Sequence, residues 1–320
     1  MLQKIAVLTS GGDAPGMNAA IRAVVHQATV REVKVVGIKH GFDGLLRSDF
    51  VKMDLSSVDG IIQHGGTILR SARCDRFLTP EGQDQGAANL EEAGIGGLIV
   101  IGGEGTYRGG AALTNRGISV VGVPGTIDND IPCTDATIGF DTAVNTVVDA
   151  MNKIRDTATA HERAFVVEVM GRASGHIALM AGLAGGAESI LIPEIPFNLN
   201  DVCRRLKWSA ERGKVHSIIL VAEGVASAYA IGEEVKERTG FDTRVTVLGH
   251  LQRGGAPSAY DRILASRLGA HAVEVLLQGE SQAGMSFVAG EIKAVPFSQV
   301  FSSTKEIDRS LYNLATVLAM

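Results

Sequence analysis

The chain is short of cysteine and has no excess of positive charge, and each shortage closes a class of function. Its only cysteines, Cys74, Cys133 and Cys203, lie far apart and form no CxxC pair. That spacing leaves out the common zinc and dithiol motifs and suits free thiols in a reducing, cytoplasmic setting. The formal net charge is −5, whereas a protein that binds a phosphate backbone needs a basic face. No apolar run approaches the ~20 residues of a membrane-spanning helix. The opening MLQKIAVLTSGGD runs from a short strand into a glycine loop and lacks a signal-peptide cleavage pattern. Low-complexity tracts, linkers rich in Pro, Gly or Ser and short-period repeats are missing too, so any domain boundary is hidden.

What the chain does have is glycine, 39 residues in 320, placed inside patterned segments. Short apolar runs recur, and glycine-containing turns and helical stretches lie between them. Lys4–Leu8, Lys34–Ile38, Gly97–Ile101, Ser119–Val123, Ala164–Val169, Ser189–Ile192 and Ser217–Val221 read as buried strands. Asn18–Val30, Asp141–Ala160, Leu199–Arg212 and Ala259–Leu277 carry helical periodicity. Strands alternating with helices predict an α/β protein with mostly parallel sheet. The length is comfortable for two domains, and the long helix near Asp141 is the expected bridge between them.

In open parallel sheets ligands bind beyond the carboxyl ends of the strands, so the turns there carry the chemistry. The first, Thr9–Met17 (TSGGDAPGM), pairs two glycines with a following helix. It reads either as a plain tight turn or as a phosphate cradle of main-chain N–H groups. No GKS or GKT follows, so it is not a Walker loop. The second, Ile101–Tyr107 (IGGEGTY), adds the Glu104 carboxylate and the Thr106 hydroxyl. Glu104 serves there either as a Mg²⁺ ligand or as a helix cap. The third, Val123–Thr134 (VPGTIDNDIPCT), sets Asp128 and Asp130 two apart on an extended stretch. One carboxylate can accept a proton from an attacking hydroxyl while the other stays ionised near a metal; the bland alternative is a polar surface turn. Arg73, Arg163, Arg172, Arg244 and Arg253, with His250, lie in or beside glycine-containing or strand-end motifs. Any one such arginine is ordinarily solvated surface. Several together in an acidic protein suit a small phosphorylated substrate.

Taken in order, TSGGDAPGMNAAIR, GGEGT, PGTIDNDI, MGRASG and VLGHLQRGG closely resemble the motifs of the bacterial ATP-dependent 6-phosphofructokinase family. The resemblance runs from residue 1 to about residue 280 and weakens beyond. It implies two Rossmann-like three-layer α/β domains with the active site in the cleft between them. The expected division is 1–138 plus 251–301 for ATP and 139–250 plus 302–320 for fructose 6-phosphate. The implied reaction moves the γ-phosphate of ATP to the sugar 1-hydroxyl, with Mg²⁺, in a homotetramer.

Residue by residue, the resemblance implies Asp128 as the base, with Thr126 and Asp130 beside it, and Gly12 and Arg172 at the transferring phosphate. ATP would meet Gly12, Arg73, Cys74, Gly103, Glu104, Gly105 and Thr106, with Glu104 holding the metal. The sugar phosphate would meet Met170, Gly171, Arg172, Glu223, His250 and Arg253, and Arg163 and Arg244 would reach it from a neighbouring subunit. Arg22, Arg155, Glu188, Arg212, Lys214 and His216 match an effector site for ADP or phosphoenolpyruvate. Pyrophosphate-using relatives carry Asp at the position of Gly105 and Lys at that of Gly125, so the two glycines favour ATP. Departures are Glu104 in place of Asp, about 1.5 Å longer, Cys74 in place of an aromatic, and Phe42 in place of Tyr. At the effector site His26 and Leu55 replace Arg, and Gly60 replaces Asp, which implies weak or altered regulation. The rival readings are a pyrophosphate-dependent enzyme and a non-catalytic regulatory paralogue. A Rossmann oxidoreductase is set aside because G-x-G-x-x-G is absent.

Overall fold

The computed structural model describes residues 2–319. The chain opens with β1 (Lys4–Thr9), α1 (Met17–Val30), β2 (Lys34–Ile38), α2 (Gly41–Leu46) and β3 (Phe50–Met53). It continues through α3 (Pro80–Glu92), β4 (Gly97–Gly102), α4 (Glu104–Thr114), β5 (Ser119–Pro124) and the long α5 (Phe140–His161). Then come β6 (Ala164–Val169), α6 (His176–Gly185), β7 (Ser189–Leu191), α7 (Leu199–Glu211), β8 (Ser217–Ala222), α8 (Ala228–Thr239) and β9 (Thr243–Val247). The last elements are α9 (Ala259–Leu277), β10 (Ala283–Val288), β11 (Glu291–Pro296), α10 (Phe297–Ser302) and α11 (Arg309–Leu318).

These elements form two compact units. The first comprises Met1–Thr126, Ile131–Asp141 and Arg253–Lys305, the second Ile127–Asp130, Thr142–Gln252 and Glu306–Met320. The boundary thus falls inside α5, and the chain passes between units repeatedly. Ile127–Asp130 groups with the second unit, whereas the sequence reading put it with the first. The reason is local: Ser174 Oγ donates to the Asp128 carbonyl at 3.1 Å, tying that segment to the turn after β6.

The first unit carries a seven-stranded sheet in the order β11-β10-β5-β4-β1-β2-β3. The five strands from β10 to β2 run parallel, and β3 and β11 close the two edges antiparallel. The central strands are buried end to end (GLIVIG in β4), as parallel strands covered on both faces must be. Tyr107 lies fully buried against Phe297, in the core with Leu98, Val100 and Val120. Gly122 and Gly284 make that ring's room, since a Cβ on either would stand 2.5 Å from a ring carbon.

The second unit has a four-stranded, wholly parallel sheet, β7-β8-β6-β9. Val166, Leu191, Ile219 and Val221 pack there against Val202 and Leu206 of α7 and Ile231 and Val235 of α8. The amphipathic α11 joins this unit, and Tyr312 donates its hydroxyl to the Ile190 carbonyl at 3.2 Å. Among the described residues no helix is long and apolar enough to cross a membrane.

Candidate active site

In the first unit β5, β4 and β1 are sheet neighbours, so their carboxyl ends deliver three of the sequence motifs side by side. Main-chain bonds lock them together. Ser10 N–H donates to the Ile101 carbonyl at 3.1 Å and Gly125 N–H to the Gly102 carbonyl at 3.0 Å. Thr106 Oγ1 donates to the Ser10 carbonyl at 3.1 Å. Thr106 therefore ties the two glycine loops to each other. Gly12 faces the Arg253 guanidinium, which would collide with any Cβ there, and Arg253 Nη1 donates to the Asp13 carbonyl at 3.1 Å. Arg73 is exposed, and Cys74 leans on the core. Thr126 is buried, and its carbonyl accepts from Thr137 Oγ1 at 2.6 Å.

Glu104 opens α4, where a carboxylate suits the helix dipole. Arg108, one turn on, donates Nε at 2.9 Å and Nη2 at 2.5 Å to the same oxygen, Oε1. Oε2 takes no bond from that guanidinium. Among the described residues no three His, Cys, Asp or Glu gather as a metal cage. One exposed carboxylate fits Mg²⁺, which is commonly held by one or two carboxylates and by substrate phosphates.

The second unit places Asp128, only 3% exposed. Arg172 Nε stands 3.6 Å from Asp128 Oδ2. Arg172 is held in the left-handed region at φ 55°, next to Gly171 at φ 144°, a conformation a non-glycine residue keeps only when its surroundings enforce it. Those surroundings are carboxyl and amide oxygens. Glu223 Oε1 accepts from Arg172 N–H at 2.8 Å and from Gly171 N–H at 3.2 Å. Glu194 Oε1 accepts from Gly175 N–H at 2.8 Å, and the buried Gln252 Oε1 from Met170 N–H at 3.2 Å. Asp130 is half-buried and His250 exposed.

Glu194 and Gln252 escaped the sequence reading. Glu194 lies outside every motif quoted above, whereas Gln252 stands in VLGHLQRGG beside Arg253, and nothing in the sequence says that either holds the turn after β6. Arg163 and Arg244 both meet Asp242, at 2.5 Å and 3.3 Å. Asp242 was also missed, although it stands two residues before Arg244 in the same DTR motif.

The sequence-predicted effector residues divide. Lys214 Nζ pairs with the buried Glu188, whose Oε2 accepts from Ile218 N–H at 2.5 Å. Arg155 donates to the Gly185 carbonyl. His216 Nδ1 lies 3.0 Å from Thr159 Oγ1, and burial lowers its pKa, with Lys214 and Arg155 adding to the shift and Glu188 opposing it. These four groups share one corner of the second unit. Arg212 instead stacks on Trp208, 4.3 Å from the ring centroid. Arg22 belongs to the first unit, where burial and the Arg22 charge lower the pKa of His26.

The family model for phosphofructokinase matches residues 4–276. The chain belongs to the phosphofructokinase family. It is 55% identical over 332 aligned residues to the ATP-dependent 6-phosphofructokinase of Halothermothrix orenii, covering all of both chains. The family likeness therefore includes the last stretch, where the motifs fade. Among solved structures, phosphofructokinase from Saccharomyces cerevisiae superposes with a TM-score of 0.90 at 36% identity. That match covers 99% of this chain and 48% of the yeast chain, so the chain spans about half the yeast length. The pyrophosphate-dependent phosphofructokinase from Marinobacter aquaeolei gives a TM-score of 0.86 at 25% identity, covering 97% of this chain and 86% of that one. Phosphofructokinases named for either donor thus share this fold, and the donor has to be argued from residues.

Proposed function

We propose that the chain transfers the γ-phosphate of ATP to the 1-hydroxyl of fructose 6-phosphate, releasing fructose 1,6-bisphosphate and ADP in cytoplasmic glycolysis. The observation that carries the reading is the buried Asp128 carboxylate with the Arg172 guanidinium 3.6 Å away on a strained, carboxylate-pinned turn. Asp128 accepts the proton of the attacking hydroxyl, help worth ~10²–10⁴ in rate. Thr126 and Asp130 orient the acceptor. Arg172, Arg73 and the Gly12 amide stabilise the charge that spreads over the transferring phosphate, the larger part of such catalysis. Gly103, Gly105 and Thr106 line the nucleotide loop, with Cys74 beside them. Glu104 is the residue to hold Mg²⁺, which supplies charge neutralisation on the phosphates.

Met170, Gly171, Glu223, His250 and Arg253 receive the sugar phosphate, and Arg163 and Arg244 complete that pocket from a neighbouring subunit of a homotetramer. Effector control by ADP or phosphoenolpyruvate is weak or altered, because His26, Leu55 and Gly60 remove charged partners. Two guanidiniums lost there forfeit charge-assisted bonds of roughly 1.5–3 kcal/mol each.

The pyrophosphate reading stands second, since the fold serves both donors. Gly105 speaks against it: a Cβ there meets nothing within 4 Å, which leaves open space for a nucleotide. The test gives purified protein fructose 6-phosphate and Mg²⁺ with either ATP or pyrophosphate, and Asp128→Asn is the control. Bisphosphate from ATP alone, lost in the variant, supports the proposal. Product from pyrophosphate would overturn the donor assignment, and silence with both donors would favour a regulatory paralogue.

A further inference from the structure

Two arginines assigned above to the sugar phosphate are held by a third residue that the assignment leaves out. Arg163 is the last residue before β6, and Arg244 is the second residue of β9. These strands are parallel neighbours with Ala164 opposite Thr243 and Phe165 opposite Arg244. Ala164 N–H donates to the Asp242 carbonyl at 3.1 Å, which sets the starts of the two strands side by side. Asp242 then occupies the point between the guanidiniums. Its Oδ2 accepts from Arg163 Nε at 2.5 Å and from Arg244 Nη2 at 3.3 Å. β9 has a strand on one side only, so this cluster lies at the sheet's edge.

We infer that Asp242 is the positioning residue that holds Arg163 and Arg244 as one fork for the phosphate of the sugar substrate. The inference rests on the assignment of those arginines to the sugar phosphate. A single carboxylate oxygen takes one donor nitrogen from each arginine and leaves the other nitrogens of both forks for an anion. The charges agree: two cations and one anion leave a net positive site, and without Asp242 two guanidiniums would repel each other at the same spot. The hydrogen bond from Arg163, above all, holds the Asp242 carboxyl below its ordinary value of 3.8, so the group is charged at neutral pH. The Arg163, Asp242 and Arg244 side chains are 27%, 45% and 54% exposed. Bonds this open are individually weak. Asp242 acts by pre-ordering two long side chains that would otherwise lose rotamer freedom when substrate binds.

The experiment measures KM for fructose 6-phosphate and kcat in Asp242→Asn, Arg163→Ala, Arg244→Ala and the Asp242→Asn/Arg163→Ala double variant. Binding of fructose 6-phosphate without nucleotide is followed by calorimetry, and Tm is recorded for each protein. Expected for Asp242→Asn is a three- to tenfold rise in KM and in dissociation constant, kcat within twofold and an unchanged Tm. The double variant should lose less affinity than the product of the two single losses, because Asp242 acts in part through Arg163 and in part through Arg244. Tighter binding in Asp242→Asn would make the carboxylate a competitor of phosphate and overturn the inference. Lower kcat at unchanged KM would do the same, as would an unchanged KM in Asp242→Asn while the arginine variants lose affinity. Unchanged KM in both arginine variants would instead bring down the assignment of the arginines, and the inference with it.

Discussion

Replacing Gly105 with aspartate separates the nucleotide reading from its rival at one atom position. Gly105 is the second residue of α4, and a Cβ added there meets nothing within 4 Å. The fold therefore accepts the side chain. Glycine is a poor helix residue, and a carboxylate in the first turn meets the positive end of the dipole, so the substitution stabilises by about 0.5–1 kcal/mol. Catalysis should move the other way. In the proposed mode the open space belongs to ATP, and a carboxylate about 4 Å from a phosphate charge costs roughly 4 kcal/mol at an effective dielectric near 20. Each 1.36 kcal/mol is tenfold in rate, so kcat/KM for ATP should fall by ~10²–10³. The assay couples ADP release to a spectrophotometric signal and sets it beside a thermal melt of the same preparation. A variant that keeps ATP kcat/KM within tenfold of the parent refutes the reasoning. So does one that loses activity only because it melts early. Gly125→Lys is the poorer probe, because a Cβ there already stands 3.1 Å from Ile101 Cγ2 and 3.2 Å from Met17 Cε.

Other consequences can be measured independently. Tyr107 is fully buried, and its hydroxyl has no hydrogen-bond partner among the described residues. Tyr107→Phe should therefore raise stability by about 1–3 kcal/mol, read as a higher denaturant midpoint at unchanged slope. Arg172 sits at φ 55°, so Arg172→Gly should be more stable than Arg172→Ala by about 1 kcal/mol, while both lose ~10²-fold or more in kcat. Glu274 is held below its ordinary value of 4.5, first by the hydrogen bond from Arg31. Its contribution is complete above pH 4.5 and fades as pH falls through the lower folded value, so Glu274→Gln should flatten the fall in Tm on that acid side. His216, lowered from 6.5 by burial, has its own window: the stability of its neutral form is full above pH 6.5 and is lost as pH falls through the folded value. His216→Gln should remove that step from the same Tm profile.

The strands read from sequence are those whose two faces are both covered. KIAVL, GLIVI and SIILV form apolar runs because parallel central strands have no solvent face, and they reappear as β1, β4 and β8. β3, β9, β10 and β11 were not read. β3 and β11 are antiparallel edges, and β9 is an edge with half-exposed TRVTV. Polar and half-exposed residues interrupt these edge strands, which dilutes a signal based on apolar runs. β10 (AGMSFV) spends two of its six places on Gly and Ser, one of them on the glycine that makes room for Tyr107. Among helices, α1, α5, α7 and α9 were found to within a residue at each end. α6 (HIALMAGLAG) was missed because most of its faces are buried, so it shows no polar side to set a period.

The candidate site divides along the same physical line. A residue that must approach phosphate at a strand end leaves a local trace, because tight turns need glycine and the charge sits within a few positions of it. Gly12, Glu104, Asp128 and Arg172 all lie in such turns, and so they could be named from five short motifs. The residues that hold those turns in shape need no glycine and no fixed distance along the chain. Glu223 reaches the Arg172 turn from 51 positions away and Gln252 reaches Met170 from 82, while Glu194 reaches Gly175 from 19. What joins them is the order of strands in the four-stranded sheet: β8 and β9 flank β6, and Glu223 and Gln252 stand beyond the carboxyl ends of those two flanking strands. A parallel sheet thus converts distant positions into neighbours at one edge. The reacting groups are written in the sequence, and Glu223 is named there with them, but the bonds by which Glu223, Gln252 and Glu194 hold the turns become visible only once the sheet order is known.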